Sequence, residues 1–179
     1  MVKRGLSVAT IAAQAGGYID AASGGVVPPI QPSTTFARDR NYALHASGNI
    51  YSRDDNDVGR VAEGLLEQLD NAQAALLFPN GMAAIAAVFR ALPTEACVLV
   101  QSQIYWGTTK WLREFCTRRG LVLVEAQLSD PAQMEQLCVA HKPDLVFIET
   151  PSNPWLRSTD IAHAAGCVHS HGGRLVVDA

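Results

Sequence analysis

The chain has 179 residues, of which 48% are hydrophobic and 17% are charged, so it can bury a globular core. Its formal net charge is −3 and it contains no basic block, which argues against a nucleic-acid partner held by phosphate neutralisation. No apolar run approaches the ~20 residues that cross a bilayer. The basic pair Lys3-Arg4 is followed by no long apolar segment, so we expect neither a signal peptide nor a membrane partner.

Residues 1–56 are predicted to form an extended arm. They are rich in Gly and Pro, as in Gly16-Gly17, Gly24-Gly25 and Pro28-Pro29, and they show no helical period. A segment of this composition does not form its own core. We therefore expect the arm to pack against another surface, such as a neighbouring subunit.

From residue 57 onward, strands and helices are predicted to alternate. Asp57 is expected to cap a helix whose apolar residues Val61, Leu65 and Leu69 recur at helical spacing. Further helices are predicted over 82–92, 109–118, 131–140 and 160–170, and strands over 74–78, 97–101, 121–125, 144–149 and 174–178. This alternation predicts an α/β fold with a mostly parallel sheet and helices on both faces.

The four cysteines and the two neighbouring histidines are not expected to form a metal site. Cys97, Cys116, Cys138 and Cys167 form no C-x-x-C pair and stand in apolar surroundings, which is typical of buried free thiols in a cytosolic protein. His169 and His171 have no third ligand nearby in the sequence.

Four predicted strands end in residues that could carry chemistry. Gly81 follows one strand and opens a helix, where free N–H groups favour an anion. Tyr105 could stack on a flat heterocycle, Asn153 is presented by a Pro-rich turn, and Asp178 ends the last strand. Each has an ordinary structural alternative, but four such residues on one sheet edge favour a ligand site.

Tyr51 and Arg53 are a fifth candidate feature, within the arm. A phenol and a guanidinium two residues apart can clamp a phosphate. The alternative is a surface arginine beside a packed tyrosine.

Six motifs occur in a fixed order along the chain and together resemble the trans-sulfuration family of pyridoxal-phosphate enzymes. This family includes cystathionine γ-synthase, cystathionine β- and γ-lyases, O-acylhomoserine sulfhydrylase and methionine γ-lyase. The resemblance covers nearly the whole chain, and the run from Glu149 to Pro154 is its most specific part. The other motifs are Gly25-Val26-Val27-Pro28-Pro29-Ile30 with Ser33-Thr34-Thr35-Phe36, Tyr51-Ser52-Arg53, Asn80-Gly81-Met82-Ala83-Ala84, Tyr105-Trp106-Gly107-Thr108 and Val176-Val177-Asp178.

The resemblance implies a cofactor, a fold and a role for each matched residue. The cofactor is pyridoxal 5'-phosphate, and the fold is the aspartate-aminotransferase-like large domain of fold type I. Residues 57–179 would be the first part of that domain, with a C-terminal domain absent from this chain. The implied roles are phosphate binding by Gly81 and Met82, ring stacking and proton transfer by Tyr105, contact with the phenolic side of the ring by Asn153, and pairing of Asp178 with the pyridine nitrogen.

The resemblance also implies an oligomer and a cellular setting. Tyr51 and Arg53 would reach the phosphate of the neighbouring subunit's cofactor, which requires at least a dimer and suggests a homotetramer. The expected setting is the cytoplasm, in sulfur amino-acid metabolism such as methionine biosynthesis, with a small amino acid as substrate.

Three positions depart from the family pattern. Asn56-Asp57-Val58 stands where the family usually has Asn-Pro-Thr, which loosens the alignment of the arm. Trp106 replaces a usual glycine, so we expect a bulkier pocket wall. Gly107 stands where methionine γ-lyases usually carry cysteine, which argues against that activity.

The family also needs a lysine that forms a Schiff base with the cofactor. This chain has only Lys3, Lys110 and Lys142, and none stands in a Ser-x-x-Lys setting after Asp178. We therefore expect the 179-residue chain alone to be inactive, as part of a longer enzyme or as a non-catalytic cofactor-binding or interaction module. An unrelated nucleotide binder is disfavoured because no G-x-G-x-x-G run or P-loop occurs.

The activity expected for the longer enzyme is γ-replacement on an O-acylhomoserine by a thiol, as in cystathionine γ-synthase. This choice rests on the Gly107-Thr108 and Asn153-Pro154 matches. Cystathionine β-lyase is the runner-up because of Leu77-Phe78-Pro79 and Phe115-Cys116. Cystathionine γ-lyase and O-acylhomoserine sulfhydrylase are further alternatives.

Overall fold

The computed structural model describes residues 6–45 and 48–179, so the Lys3-Arg4 pair lies outside the described residues. The chain divides into two compact units, Met1–Pro79 and Asn80–Ala179. The first unit contains two α-helices, α1 (Val8–Ala13) and α2 (Asp57–Asp70), with a 3₁₀ turn at Ala15–Gly17. The second unit contains the remaining helices and the whole sheet.

The first unit corrects two expectations about helices. The arm does contain a helix, α1, where none was predicted, because six residues are too few to show a helical period. The Ser7 side chain caps it by accepting the Thr10 N–H at 3.2 Å. Asn56, not Asp57, caps α2 by accepting the Gly59 N–H at 2.8 Å. Asp57 is instead in the first turn and forms an ion pair with Arg60.

The predicted strand over 74–78 was wrong. These residues form no helix or strand, and no neighbouring strand pairs with them in the described part of the chain. Two of their N–H groups are bound by side chains of α2 instead: Ala75 donates to Glu67 at 3.3 Å and Leu77 donates to Glu63 at 2.9 Å. An apolar run shows that a segment suits a strand, but it does not supply the partner that makes one.

The second unit is a four-stranded parallel sheet between helices. Its strands are β1 (Cys97–Gln101), β2 (Val122–Ala126), β3 (Leu145–Glu149) and β4 (Arg174–Asp178), in the spatial order β2-β1-β3-β4. Its helices are α3 (Gly81–Arg90), α4 (Trp106–Arg119), α5 (Pro131–His141) and α6 (Ile161–Ser170). The chain reverses its direction of strand addition between β1 and β3, so a crevice forms beyond the carboxyl ends of these two strands.

Helices cover both faces of the sheet, as the sequence predicts. On one face, Phe89 of α3 and Leu112 of α4 pack against Val98, Val100 and Phe147. The other face is covered by α5 and α6, whose buried residues are Met134, Cys138, Ala164 and Val168, packed with Leu99, Val146 and Ile148. Strands buried on both sides explain the continuous apolar runs in the sequence.

The start of α4 is the largest shift in a helix boundary. The helix begins at Trp106, three residues before the predicted start, because Trp106-Gly107-Thr108 carries no apolar period. Tyr105, at the N-cap position, forms no side-chain capping hydrogen bond. Its own N–H donates to the carboxylate of Glu149 on β3 at 3.0 Å. A cap supplied from a distant strand leaves no local sequence signal.

All four cysteines are free thiols. Burial raises the pKa of Cys116 to about 11 and that of Cys138 to about 12, so neither is a thiolate nucleophile at neutral pH. Within residues 6–45 and 48–179, no group of three His, Cys, Asp or Glu side chains is placed to hold a metal ion. No helix in these ranges is long and apolar enough to span a membrane.

Candidate functional site

A cavity of about 410 Å³ lies beyond the carboxyl ends of β1, β3 and β4, within the second unit. Five residues singled out from the sequence line it: Gly81, Met82, Tyr105, Asn153 and Asp178. They are separated by as many as 97 positions in the sequence, and the parallel sheet brings them to one edge. Ile85, Thr108, Glu149, Pro151 and Ala179 complete the lining.

The start of α3 gives the cavity an anion-binding wall. Asn80 caps the helix by accepting the Ala83 N–H at 2.8 Å, which leaves the N–H groups of Gly81 and Met82 without a hydrogen bond within the described structure. A Cβ at Gly81 would meet no atom within 4 Å, so the space in front of these groups is open. Two free N–H groups at the positive end of a helix dipole suit a phosphate.

Tyr105 supplies an aromatic ring to the cavity wall, and Gly107 makes room for it. The side chain is 38% exposed, and its ring lies over Gly107, where an added Cβ would be 2.5 Å from Tyr105 Cε1. Trp106, the residue that was expected to make a bulkier wall, is 69% exposed and does not line this cavity. Its ring centroid lies 5.9 Å from that of Tyr105.

Asp178 brings an unpaired carboxylate to the cavity. Its side chain makes no hydrogen bond or ion pair with the described residues, and it lies opposite Glu149 in the β3–β4 register. Burial, and then the negative charge of Glu149, raises the pKa of Asp178. A half-buried carboxylate beside another carboxylate is unfavourable unless a cation binds between or near them.

Asn153 reaches the cavity from the turn after β3. Its N–H donates to Glu149, while its carboxamide has no hydrogen-bond partner in the described chain. Ser152, fully buried, holds the turn: its N–H donates to the Arg157 carbonyl at 2.9 Å and its Oγ accepts the Arg157 N–H at 3.2 Å. The backbone at Asn153 is therefore fixed by Glu149 and by the turn, and its carboxamide is free to bind a ligand.

Glu149 and Gln101 are site residues that the sequence analysis did not single out. The Glu149 carboxylate binds the N–H groups of both Tyr105 and Asn153, and its carbonyl accepts from the Gln101 side chain at 3.0 Å. Both residues are buried polar groups at the ends of apolar strands. A polar residue at the end of an apolar strand was the sequence signal that could have identified them, since a buried acid or amide needs specific hydrogen-bond partners.

Tyr51 and Arg53 belong to the first unit and contact each other. The guanidinium carbon of Arg53 lies 4.8 Å from the centroid of the Tyr51 ring, a cation–π distance. Tyr51 also pairs with Thr35 in an isolated bridge. Arg53 is exposed, so its guanidinium remains accessible to an anion.

The cavity in the second unit defines a class of ligand site. It combines a helix start with two free N–H groups, an aromatic ring, an unpartnered carboxamide and an unpaired carboxylate at the reversal point of a parallel sheet. A small, flat, cationic heterocycle that carries a phosphate satisfies all four groups, and pyridoxal phosphate has this chemistry.

Comparison with known proteins identifies the family. The sequence profile of the Cys/Met metabolism PLP-dependent enzymes matches residues 9–179, and the chain belongs to this family. It is 35% identical over 152 residues to cystathionine gamma-lyase of Bos taurus and 31% identical over 172 residues to a probable cystathionine gamma-synthase of Herpetosiphon aurantiacus. These alignments cover 85% and 95% of this chain.

A solved structure agrees with the same assignment. Cystathionine gamma synthase from Xanthomonas oryzae pv. oryzae, in complex with cystathionine, superposes with a TM-score of 0.86 at 31% identity, over 97% of this chain. The match confirms the aspartate-aminotransferase-like fold and, with the family, pyridoxal phosphate as the cofactor. The chain spans 37% of the bovine relative, 52% of the Herpetosiphon relative and 44% of the solved chain.

We predict that Gly107→Ala displaces the Tyr105 ring without unfolding the protein. An alanine in a helix gains up to about 1 kcal/mol over glycine, but here the new methyl would overlap the ring. The ring is partly exposed and can swing into solvent. Urea unfolding should therefore show little net change, while nuclear Overhauser contacts between the Tyr105 ring and residue 107 are lost.

Gly166→Ala in α6 is the matched control, because its added methyl would meet no atom within 4 Å. It should raise the unfolding free energy by about 0.4–1 kcal/mol and leave the Tyr105 ring in place. An unmoved Tyr105 ring in Gly107→Ala would contradict the prediction.

Proposed function

We propose that residues 80–179 hold pyridoxal phosphate in the cavity at the sheet edge. The observation that carries the proposal is the unpaired Asp178 carboxylate, which faces the same space as the free N–H groups of Gly81 and Met82. The helix start would bind the phosphate, and Asp178 would bind the protonated pyridine nitrogen. Tyr105 would stack on the ring, and the Asn153 carboxamide would bind on its phenolic side.

The chemistry of the site follows from these contacts. Bound pyridoxal phosphate supplies an electron sink next to the substrate's amino group. Asp178 strengthens that sink, because its charge keeps the ring nitrogen protonated. Tyr105 presents a phenol at the ring face, where it can accept or donate a proton at the substrate.

Within the same proposal, the first unit completes a neighbouring subunit's site. Residues 1–56 would be the arm, and Tyr51 and Arg53 would bind the phosphate of the neighbour's cofactor. The accessible Arg53 guanidinium supports this role. The complete enzyme would then be a cytoplasmic homotetramer built from dimers with shared sites, acting in methionine biosynthesis.

For the reaction, we favour γ-replacement of the acyl group of an O-acylhomoserine by a thiol. A probable cystathionine gamma-synthase among the relatives and a gamma synthase structure solved with cystathionine support this choice. Elimination from cystathionine is the second candidate, since six of the relatives are cystathionine gamma-lyases.

The test is to offer substrates separately to the protein encoded by the complete reading frame that contains this chain. We expect O-succinylhomoserine with cysteine to yield cystathionine and succinate. With water, cystathionine alone would yield 2-oxobutyrate, ammonia and cysteine from a γ-lyase, and pyruvate, ammonia and homocysteine from a β-lyase. Rapid product formation from cystathionine alone, with no γ-replacement, would overturn the assignment. Turnover of O-succinylhomoserine with sulfide in place of cysteine would identify an O-acylhomoserine sulfhydrylase.

A further inference from the structure

We infer that Glu149 is a positioning residue that sets the backbone of two cavity walls at once, the start of α4 at Tyr105 and the turn at Asn153. One carboxylate oxygen accepts the Tyr105 N–H at 3.0 Å, and the other accepts the Asn153 N–H. The inference rests on the proposed function, because the role assigned to Glu149 is to orient Tyr105 and Asn153 toward the cofactor.

The geometry makes one side chain responsible for both walls. Glu149 ends β3, with 6% of its surface exposed, and its carbonyl is bound by the Gln101 side chain at 3.0 Å. Gln101 is held in turn by Thr159 at 3.3 Å. The Glu149 carboxylate is therefore attached to a fixed backbone, and each of its two oxygens accepts a hydrogen bond. A movement of this side chain would displace Tyr105 and Asn153 together.

The charge of Glu149 indicates more than a structural cap. A neutral Gln at this position has one oxygen and one NH₂ group, so it can accept from only one of the two N–H donors. A carboxylate satisfies both, but it lies opposite Asp178 and raises the pKa of that residue. In an empty cavity this repulsion is unfavourable. A cationic ring nitrogen near Asp178 would relieve it, so the arrangement suits the cofactor-bound state.

The experiment compares Glu149→Gln with the wild-type chain by NMR. We expect amide exchange at Tyr105 or Asn153 to accelerate by on the order of tenfold or more, because one charge-assisted hydrogen bond is lost. Phe147 in the centre of β3 should keep its protection. Glu135→Gln is the matched control, since Glu135 is exposed on α5 and the same chemical change there should alter neither amide.

A second readout separates positioning from general stabilisation. The pKa of Asp178, followed by its carboxyl carbon resonance, should fall in Glu149→Gln, because a neighbouring negative charge is removed. Both proteins end at the same residue, so the charge of the terminal carboxylate cancels in the comparison. A purely structural loss would loosen the whole sheet and leave no specific change at Asp178.

Wild-type protein supplies a test that does not depend on a folded variant. In native-state hydrogen exchange of the wild type, the Tyr105 and Asn153 amides should open with one common free energy, because one carboxylate binds both N–H groups.

The inference would be overturned by unchanged protection of both amides in Glu149→Gln, or by different opening free energies for the two amides in wild type. Equal loss of protection at Phe147 would also overturn it. Failure of wild type to bind pyridoxal phosphate, with the amide effects intact, would instead refute the proposed function and leave the positioning role standing.

Discussion

Asp178→Asn is expected to weaken pyridoxal phosphate binding and turnover by about a hundredfold in the complete enzyme. Removing one partner of a buried ion pair costs about 3–5 kcal/mol; Asp178 is only half-buried, so we take the lower end, and 1.36 kcal/mol corresponds to tenfold. The carboxamide keeps the shape of the side chain but not the charge that holds the ring nitrogen protonated. Equilibrium dialysis of the cofactor and steady-state kinetics measure the two effects.

Asp70→Asn is the control for this substitution. Asp70 is exposed at the end of α2 and its side chain makes no hydrogen bond or ion pair within the described residues, so the same change should leave affinity and turnover as they are. Equal cofactor affinity in Asp178→Asn and wild type would remove Asp178 from the ring-nitrogen role.

The pH dependence of binding gives an independent check on Asp178. Burial and Glu149 raise the pKa of Asp178, so in the empty cavity this carboxyl takes up its proton at a higher pH than an ordinary aspartate. The neutral acid cannot pair with a cation. Cofactor affinity should therefore fall as the pH drops through the titration of Asp178, and Asp178→Asn should lose this part of the pH dependence.

The alternation of apolar strands with helices was enough to predict the sheet and its two helical faces. Strands 97–101 and 174–178 are confirmed to the residue, because both are apolar runs with clear ends. Tyr105, Asn153 and Asp178 could be grouped because parallel strands place their carboxyl ends on one edge. Gly81 was grouped with them through the strand over 74–78, which was wrong, although the start of α3 does line the cavity.

What the sequence did not predict depends on tertiary partners. Residues 74–78 have the composition of a strand, yet Glu63 and Glu67 bind their N–H groups in place of a neighbouring strand. The start of α4 was placed late because Glu149, 44 residues away, supplies its cap. The double role of Glu149 was missed for the same reason, since an acid at a strand end does not show which N–H groups it binds.

The 179-residue chain by itself is expected to show no turnover and no stoichiometric attachment of pyridoxal phosphate to one lysine. Of its three lysines, Lys3 lies outside the described residues. Lys110 is exposed on α4 and lines a different surface depression, beside Trp106. Lys142 is exposed after α5 and precedes β3, at the edge of the sheet opposite the cavity. Neither described lysine lines the cavity that contains Asp178.

Borohydride reduction followed by peptide mass spectrometry tests whether any lysine of the 179-residue chain forms a Schiff base with pyridoxal phosphate. We expect only scattered, substoichiometric labelling of the 179-residue chain, and the same pattern in Lys110→Arg and Lys142→Arg apart from the missing site. A single lysine labelled to one equivalent, with turnover, would show that the chain is catalytically complete. Reversible binding without labelling would instead assign cofactor recognition to these residues and Schiff-base chemistry to a lysine outside them. A reading frame that continues past Ala179 into a Ser-x-x-Lys run would supply that lysine, and the longer chain should then be labelled there.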